Sequence, residues 1–201
     1  MQAKSVNRVV AEEDFLRARF YGLLATLLAA PPPGDLLRRI AGLKPDATPL
    51  GSALGELSLA AMAADADCVA EEFQVLFIGV TGGELVPYAS WYLTGFLQEK
   101  PLAALRQDME RLGIEPSPDS SEPEDHVASL LEIMQGLITG LFNDPLPLPE
   151  QKAFFATHLE CWMPRLMADL EKSASARFYR AVGKVGRVFL EIETQAFAMM
   201  D

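Results

Sequence analysis

The chain has 201 residues, half of them hydrophobic, which is enough for one large domain with a substantial core. Its 28 acidic and 17 basic residues give a net charge of -11. Because no local basic cluster offsets this charge, we expect no nucleic-acid partner. An acidic surface is compatible with a cationic or arginine-bearing peptide.

The sequence shows neither an export signal nor a membrane span. Residues 1–15 lack a continuous apolar core, and the apolar run at 23–30 is interrupted by prolines 31–33. These features predict a cytoplasmic protein. Cys68 and Cys161 are isolated within apolar helical patterns, which predicts reduced, buried thiols rather than a disulfide or a metal pair.

Helical periodicity predicts the elements of the first part of the chain. We expect a helix opened by Glu12, Glu13 and Asp14 and stopped by the prolines, helices over 35–40 and 50–64, and a helix capped by Asp67 that ends near Gly79. The apolar face of the first helix consists of Phe15, Leu16, Phe20, Leu23, Leu24, Leu27 and Leu28.

The stretch from Phe73 to Lys100 organises the prediction of a site. After a glycine-rich loop, large aromatics crowd into a few residues around a proline: Pro87, Tyr88, Trp91 and Tyr92. A loop normally sheds such side chains, so they indicate either a concave binding surface or an anchor driven into the core. The sequence leaves both interpretations open.

The second half of the chain also reads as helical. We predict helices from Pro101 to Gly113, from Ser121–Glu124 through Leu141, from Glu150 to a kink or break around 161–163 before Pro164, and from about Ser175 onward. No run alternates as a strand does. The expected fold is all-α, one domain of about eight to ten helices over 1–201, with a hinge near 114–121 that leaves monomer and helix-swapped dimer open.

The segment Glu122–His126, read as EPEDH, places four ionisable groups within five residues. Its acids either satisfy free N–H groups at a helix start or form a recognition site. In the second case Asp125 and His126 present an acceptor and a donor to a bound peptide, and Glu122 and Glu124 add negative charge. That interpretation predicts that Asp125→Ala weakens client binding with little effect on stability.

Other chemistry has little support in the residue pattern. The remaining histidine, His158, lies in a different predicted helix, and neither HExxH nor CxxC spacing occurs, so we expect no metal. The glycines at 79–83 lack the following Lys and Ser or Thr of a phosphate loop, and we expect no cofactor. A small hydrolase using Asp125 and His126 remains an alternative, although no nucleophile elbow accompanies them.

Four motifs together resemble the TorD/DmsD (NarJ-like) family. They are LFIG at Leu76–Gly79, the turn Pro87-Tyr88-Ala89-Ser90, EPEDH at Glu122–His126, and FYRAVG at Phe178–Gly183, in the family's order and approximate spacing. The likeness covers most of the chain from Phe73 to Gly186. Three features depart from it: Tyr88 stands where DmsD-like members have tryptophan, the loop 80–86 lacks their extra tryptophan and prolines, and Cys161 replaces the proline of the HLxPW segment.

The resemblance implies a cytosolic, all-helical chaperone without catalytic activity. Such proteins bind the apo catalytic subunit of a molybdopterin oxidoreductase, often through its twin-arginine signal peptide, until the cofactor is inserted. The family motifs carry the peptide-binding role onto Pro87, Tyr88, Ser90, Asp125 and His126, and Trp91 and Tyr92 supply further aromatic surface. The client is expected to be formate dehydrogenase-like, on the likeness of residues 94–102, or dimethyl sulfoxide reductase-like. Binding to only the mature domain of a client is the alternative.

Overall fold

A computed structural model describes residues 11–79, 82–116 and 122–200. Across these ranges the chain is helical, with ten α-helices and two π-helical turns, Gln74–Ile78 and Ala156–Glu160. The α-helices are α1 (Glu12–Ala29), α2 (Gly34–Ala41), α3 (Pro49–Ala63), α4 (Ala66–Phe73), α5 (Ala89–Thr94), α6 (Lys100–Leu112), α7 (Val127–Thr139), α8 (Leu148–Phe155), α9 (Met163–Lys172) and α10 (Phe178–Ala198). The expected all-α fold is confirmed.

Short polar side chains and glycines set the ends of several helices. The Thr48 hydroxyl accepts a hydrogen bond from the backbone N–H of Gly51 at the start of α3. Gly113 and Gly140 end α6 and α7 with φ angles of 68° and 77°. Only glycine adopts this left-handed backbone without strain, so each of these helices stops where the sequence places a glycine.

The core forms where α7 packs against α1 and where α10 packs against α9 and α3. Nearly every apolar side chain of α7 is buried. On α10, an added Cβ at Gly183 would lie 2.9 Å from the Met167 carbonyl oxygen, and one at Gly186 would lie 2.5 Å from the Met167 sulfur. These two glycines therefore allow α9 and α10 to approach closely.

A buried ion pair joins the first and last helices. Arg17 of α1 donates two hydrogen bonds to Glu193 of α10, at 2.9 and 2.8 Å, and the Tyr21 hydroxyl donates a third at 2.9 Å. Glu193 is only 1% exposed. Burial and the adjacent carboxylate raise the pKa of Tyr21 well above its ordinary value, so the phenol remains a donor. The three groups fix the register between α1 and α10.

Residues 83–85 of the loop pack tightly on the first π-helical turn. The wider turn leaves two carbonyls free, and Val75 and Leu76 accept from the N–H groups of Glu84 and Leu85 at 3.1 and 2.8 Å. An added Cβ at Gly83 would lie 2.5 Å from the backbone of Phe77. The loop is thus held against the chain just before the aromatic segment.

Glu72 of α4 caps a helix that is distant in sequence. Its carboxylate accepts from the backbone N–H groups of Arg177, Phe178 and Tyr179 at 2.8, 3.2 and 2.8 Å. These are orphan donors at the N-terminus of α10, where the helix dipole also favours a negative charge. Glu72 therefore fixes where the last helix starts, at Phe178 rather than at the expected Ser175.

Two predictions of helix starts are wrong. The helix expected to open at Ser121–Glu124 begins at Val127, because His126 caps it and residues 122–126 form turns that pair with another segment. The side chain that caps α4 is Asp65 rather than Asp67, since Asp65 accepts from the N–H groups of Asp67 and Cys68. The predicted break before Pro164 is confirmed, because a π-helical turn and residues 161–162 separate α8 from α9.

Two expectations about the exposure of side chains and one about secondary structure also differ from the structure. Phe15 and Leu16 are each 50% exposed, because the buried stripe of α1 passes through Ala18, Tyr21 and Ala25 instead. Cys68 and Cys161 are free thiols as expected, but both are exposed, since they lie on the outer sides of their segments. Trp91 and Tyr92 belong to helix α5 rather than to a loop.

Part of the proposed hinge, 117–121, and Ser121 of the expected capping box lie outside the described residues. No helix in the described ranges is long and apolar enough to cross a bilayer. The assignment of one domain to 1–201 stays a prediction.

Replacement of Glu72 by alanine should destabilise the fold by about 1–3 kcal/mol, because three helix N–H groups lose their acceptor. Urea unfolding followed by far-UV circular dichroism measures the change. Glu71→Ala is the matched control, since Glu71 is exposed on the same helix and its carboxylate has no hydrogen bond among the described residues. Equal losses in the two variants would contradict the capping role of Glu72.

Candidate functional site

The proline-aromatic turn and the EPEDH segment are joined directly. Tyr88 and His126 form an isolated antiparallel bridge, flanked by hydrogen bonds from the Ala89 N–H to the Asp125 carbonyl, at 3.0 Å, and from the Val127 N–H to the Pro87 carbonyl, at 2.8 Å. The bridge places the starts of α5 and α7 side by side. The two motifs that the sequence singled out therefore lie together at one junction.

Asp125 lies at the centre of this junction and is 1% exposed. Its Oδ2 atom accepts a hydrogen bond from the Ser90 N–H, at 2.8 Å, in the first turn of α5. Its Oδ1 atom is buried and has no hydrogen-bond partner among the described residues. Asp125 thus caps α5 across the junction and keeps one unused acceptor.

Tyr88 forms the outer layer of the junction. Its ring lies edge-on to the His126 imidazole, with centroids 5.0 Å apart, and its hydroxyl donates to the Glu122 carboxylate. Burial and the nearby Glu122 carboxylate raise the pKa of Tyr88 above its ordinary value. Glu122 is exposed, so its carboxylate can also bind a group that arrives from solvent.

His126 serves as the N-cap of α7. Its Nδ1 atom accepts from the Ala128 N–H at 3.3 Å, which requires an unprotonated Nδ1. Burial lowers the pKa of His126, and the carboxylates of Glu122 and Asp125 offset this only partly. The ring is therefore neutral at pH 7, and its unprotonated Nδ1 atom accepts the hydrogen bond of the cap.

The remaining predicted site residues are mostly engaged within the protein. Pro87 and Ser90 are buried, and the Ser90 hydroxyl accepts from the Glu99 N–H at 3.3 Å. Glu124 accepts from Arg106 at 2.9 Å. The Tyr92 hydroxyl donates to Asp169 at 3.2 Å, and its ring packs against Trp162.

Helix α5 lies between two concavities. One has a volume of about 300 Å³ and lies between α5, α6 and the second π-helical turn, with Asp125 and His158 in its lining. The other, about 530 Å³, lies between α5, the loop at 83–86 and α9, with Arg165 and Asp169 in its lining. Leu93 lines both. Both volumes lie within the range of about 300–1,000 Å³ that ligand clefts occupy.

Large apolar side chains are exposed on α5 and in the segment that follows it. Trp91 is 44% exposed and Phe96 is 68% exposed, and Leu93 and Leu97 are similarly accessible. We call Trp91, Leu93, Phe96 and Leu97 the apolar ridge. Sequence reasoning included only Trp91. The missed signal was a Phe-Leu pair directly after Gly95, in a segment whose short helix cannot bury every apolar residue.

A second pair that sequence reasoning missed is His158 with Asp108. The His158 Nε2 atom lies 2.8 Å from the Asp108 Oδ2 atom, and Arg111 also donates to this carboxylate. Burial alone would raise the pKa of Asp108, but the hydrogen bonds from His158 and Arg111 outweigh it, so the pKa lies below its ordinary value. The pair joins α6 to the second π-helical turn beside the smaller concavity.

The geometry gives little support to hydrolysis or metal binding. Within the described ranges no hydrogen bond joins the Asp125 carboxylate to the His126 ring, and the imidazole is occupied at a helix cap. No group of three or more His, Cys, Asp or Glu side chains in those ranges is arranged to hold a metal ion. The arrangement instead offers exposed apolar surface beside carboxylates.

The family model described as nitrate reductase delta subunit matches residues 43–168, which contain α5 and the whole junction. The chain belongs to this family. The match confirms the resemblance to the TorD/DmsD (NarJ-like) family that the sequence motifs indicated.

Curated relatives of this chain are named as TorD chaperones. The chain is 29% identical to the chaperone protein TorD of Aliivibrio salmonicida over 63% of each chain. It is 27% identical to that of Aeromonas salmonicida over 79% of this chain and 73% of the relative. The first match thus spans less than two thirds of the relative's length.

A solved structure agrees in fold. The crystal structure of an Archaeoglobus fulgidus protein described as a redox enzyme maturation protein superimposes with a TM-score of 0.58 at 18% identity. The superposition covers 94% of this chain and 99% of the other. At this identity the likeness extends to the fold alone, and it supports the all-helical architecture described above.

Replacement of Asp125 separates its capping role from its charge. Asp125→Ala leaves the Ser90 N–H without an acceptor and should lower the free energy of unfolding by about 1–3 kcal/mol. Asp125→Asn keeps an oxygen acceptor and should lose clearly less. This replaces the expectation that Asp125→Ala hardly affects stability. Urea unfolding measures both variants, and similar stability in Asp125→Ala and the wild type would contradict the cap.

The histidine cap should make stability depend on pH. The pKa of His126 lies below its ordinary value of 6.5, so on acidification the unfolded chain binds the proton first. The stability contribution is complete above pH 6.5 and falls as the pH drops toward the lowered pKa. His126→Asn keeps a good cap that does not titrate. Between about pH 8 and pH 5, the wild type should lose more free energy of unfolding than His126→Asn; parallel pH profiles would contradict this.

Proposed function

We propose that the chain is a cytoplasmic chaperone that binds the apo catalytic subunit of a molybdopterin oxidoreductase before cofactor insertion, and that it catalyses no reaction and holds no cofactor itself. The observation that carries the proposal is the apolar ridge on α5 and the segment after it, with the start of α5 fixed by Asp125 and by the bridge to His126. A preorganised apolar surface beside carboxylates suits recognition of a protein segment.

The site residues divide into two roles. Pro87, Ser90 and Asp125 are buried and position α5. Tyr88, Trp91 and Glu122 are exposed or half-buried and contact the client. His126 caps α7 and packs against the Tyr88 ring. Glu124 is bonded to Arg106, and Tyr92 is bonded to Asp169, so both are engaged within the protein. This division gives contact roles to fewer residues than the sequence suggested.

The client is a formate dehydrogenase-like or dimethyl sulfoxide reductase-like subunit. The ridge takes an apolar stretch, and Glu122 takes a basic group that precedes or follows it. A twin-arginine signal peptide has this composition, which favours it as one of the bound segments. A client without such a peptide would bind through its mature domain to the same ridge.

The tagged chain, purified from its native cell, should retain one molybdoenzyme catalytic subunit, identified by mass spectrometry. Trp91→Ala should reduce recovery of that subunit by about tenfold, as truncation of an aromatic anchor does at protein interfaces. Leu141→Ala is the matched control, since Leu141 is a large apolar residue 75% exposed outside the ridge.

Absence of the subunit from the wild-type eluate, in cells that express it, would contradict the chaperone proposal. Equal loss in both variants would contradict the ridge as the binding surface. Removal of the client's signal peptide then separates the two modes: lost recovery identifies the signal peptide as the main target, and unchanged recovery identifies the mature domain.

A further inference from the structure

A concavity larger than the two beside α5 lies away from the apolar ridge, where α1, α2 and α3 meet. Its volume is about 830 Å³. Along α1 it is lined from Leu16 to Thr26, and the ten steps of about 1.5 Å between these residues make this wall about 15 Å long. An elongated groove of three helical turns fits a length of polypeptide better than a compact ligand.

Most of the residues that line the groove are apolar. Phe20 and Leu23 of α1, Leu36 of α2 and Leu54 of α3 are each partly exposed and line it. Leu16, which the sequence places on the apolar face of α1 and which is 50% exposed, also lines it. The exposed position of Leu16 therefore belongs to a continuous apolar surface.

The two arginines that line the groove lack partners among the described residues. Arg19 of α1 and Arg39 of α2 are exposed, and no ion pair or hydrogen bond of their side chains is found among the described residues. Asp35 is the carboxylate among the lining residues, so the lining carries a net charge of +1 in a chain of -11. The two guanidinium groups are therefore placed to receive negative charge.

The floor carries an amide that is also unpaired. The Gln135 side chain lines the groove and has no hydrogen bond among the described residues. A Cβ at Gly22 would lie 2.7 Å from the Gln135 Nε2 atom, so glycine at this position makes room for the amide. An amide offers both a donor and an acceptor, which suits the backbone of a bound segment.

We propose that this groove binds an apolar segment of the client protein that also carries a carboxylate side chain. The proposal rests on the chaperone function and assigns it a second contact, distinct from the apolar ridge. The apolar side chains of the segment fill the space between α1 and α2, its carboxylate binds Arg19 and Arg39, and its backbone or a polar side chain bonds to Gln135.

The test uses the client subunit recovered with the wild-type chain. Arg19→Glu combined with Arg39→Glu should weaken the affinity for that subunit by about tenfold, measured by biolayer interferometry with the full-length proteins. The control combines Arg38→Glu with Arg177→Glu. It changes the net charge equally at exposed arginines that do not line the groove, and it should change the affinity less than about twofold.

The outcomes distinguish the two proposals. If the wild type retains no client, the chaperone function fails. If the client binds the wild type and the groove variant equally, or if the control variant weakens binding as much, the groove proposal is overturned while the chaperone function stands.

A photo-crosslinking residue at Thr26, which lines the groove, identifies the occupant, with the same residue at the exposed Leu59 as control. The expected product from Thr26 joins an apolar client segment with Asp or Glu within it. A crosslink to a second copy of this chain, to a basic client segment, or equally from both positions would overturn the proposal.

Discussion

The carboxylate of Asp125, bonded to the first turn of α5, is the interaction on which the candidate site depends. A helix of six residues, Ala89–Thr94, has too few internal hydrogen bonds to be stable alone. It persists because Asp125 caps it and because two backbone hydrogen bonds cross the junction with EPEDH, from the Ala89 N–H to the Asp125 carbonyl and from the Val127 N–H to the Pro87 carbonyl. These contacts thus hold the apolar ridge in a fixed position.

The same device occurs at Glu72, which caps the last helix from a distant one. In both cases an acidic residue that looks like a surface charge satisfies helix N–H groups far along the chain. Together with the Arg17–Glu193 pair, these contacts use carboxylates to set how helices start and align. Some of the acidic residues therefore stabilise the fold. Arg19 and Arg39 of the groove, in contrast, have no partner among the described residues.

Sequence reasoning predicted the helical class, most helix positions and the two motifs of the site, because these follow from local periodicity, proline and glycine. It could not predict that EPEDH precedes its helix instead of opening it, since the acceptor role of Asp125 depends on a residue 35 positions away. Phe15 and Leu16 looked like core because periodicity shows which face is apolar, but only packing shows how far that face is covered. The resemblance supplied the peptide-binding role of these motifs, and the structure separates residues that position α5 from those that solvent or a client can reach.

Hydrogen exchange of the chain, with and without its client subunit, tests the central claim most directly. Client binding should slow exchange in residues 89–97 and in the loop at 83–86, while α9 and α10 change little. In the free chain, the backbone amides at the start of α5 should already exchange slowly, because the Asp125 cap holds this helix in place. Fast exchange throughout α5 in the free chain, or protection that avoids 83–97 when the client binds, would contradict the account.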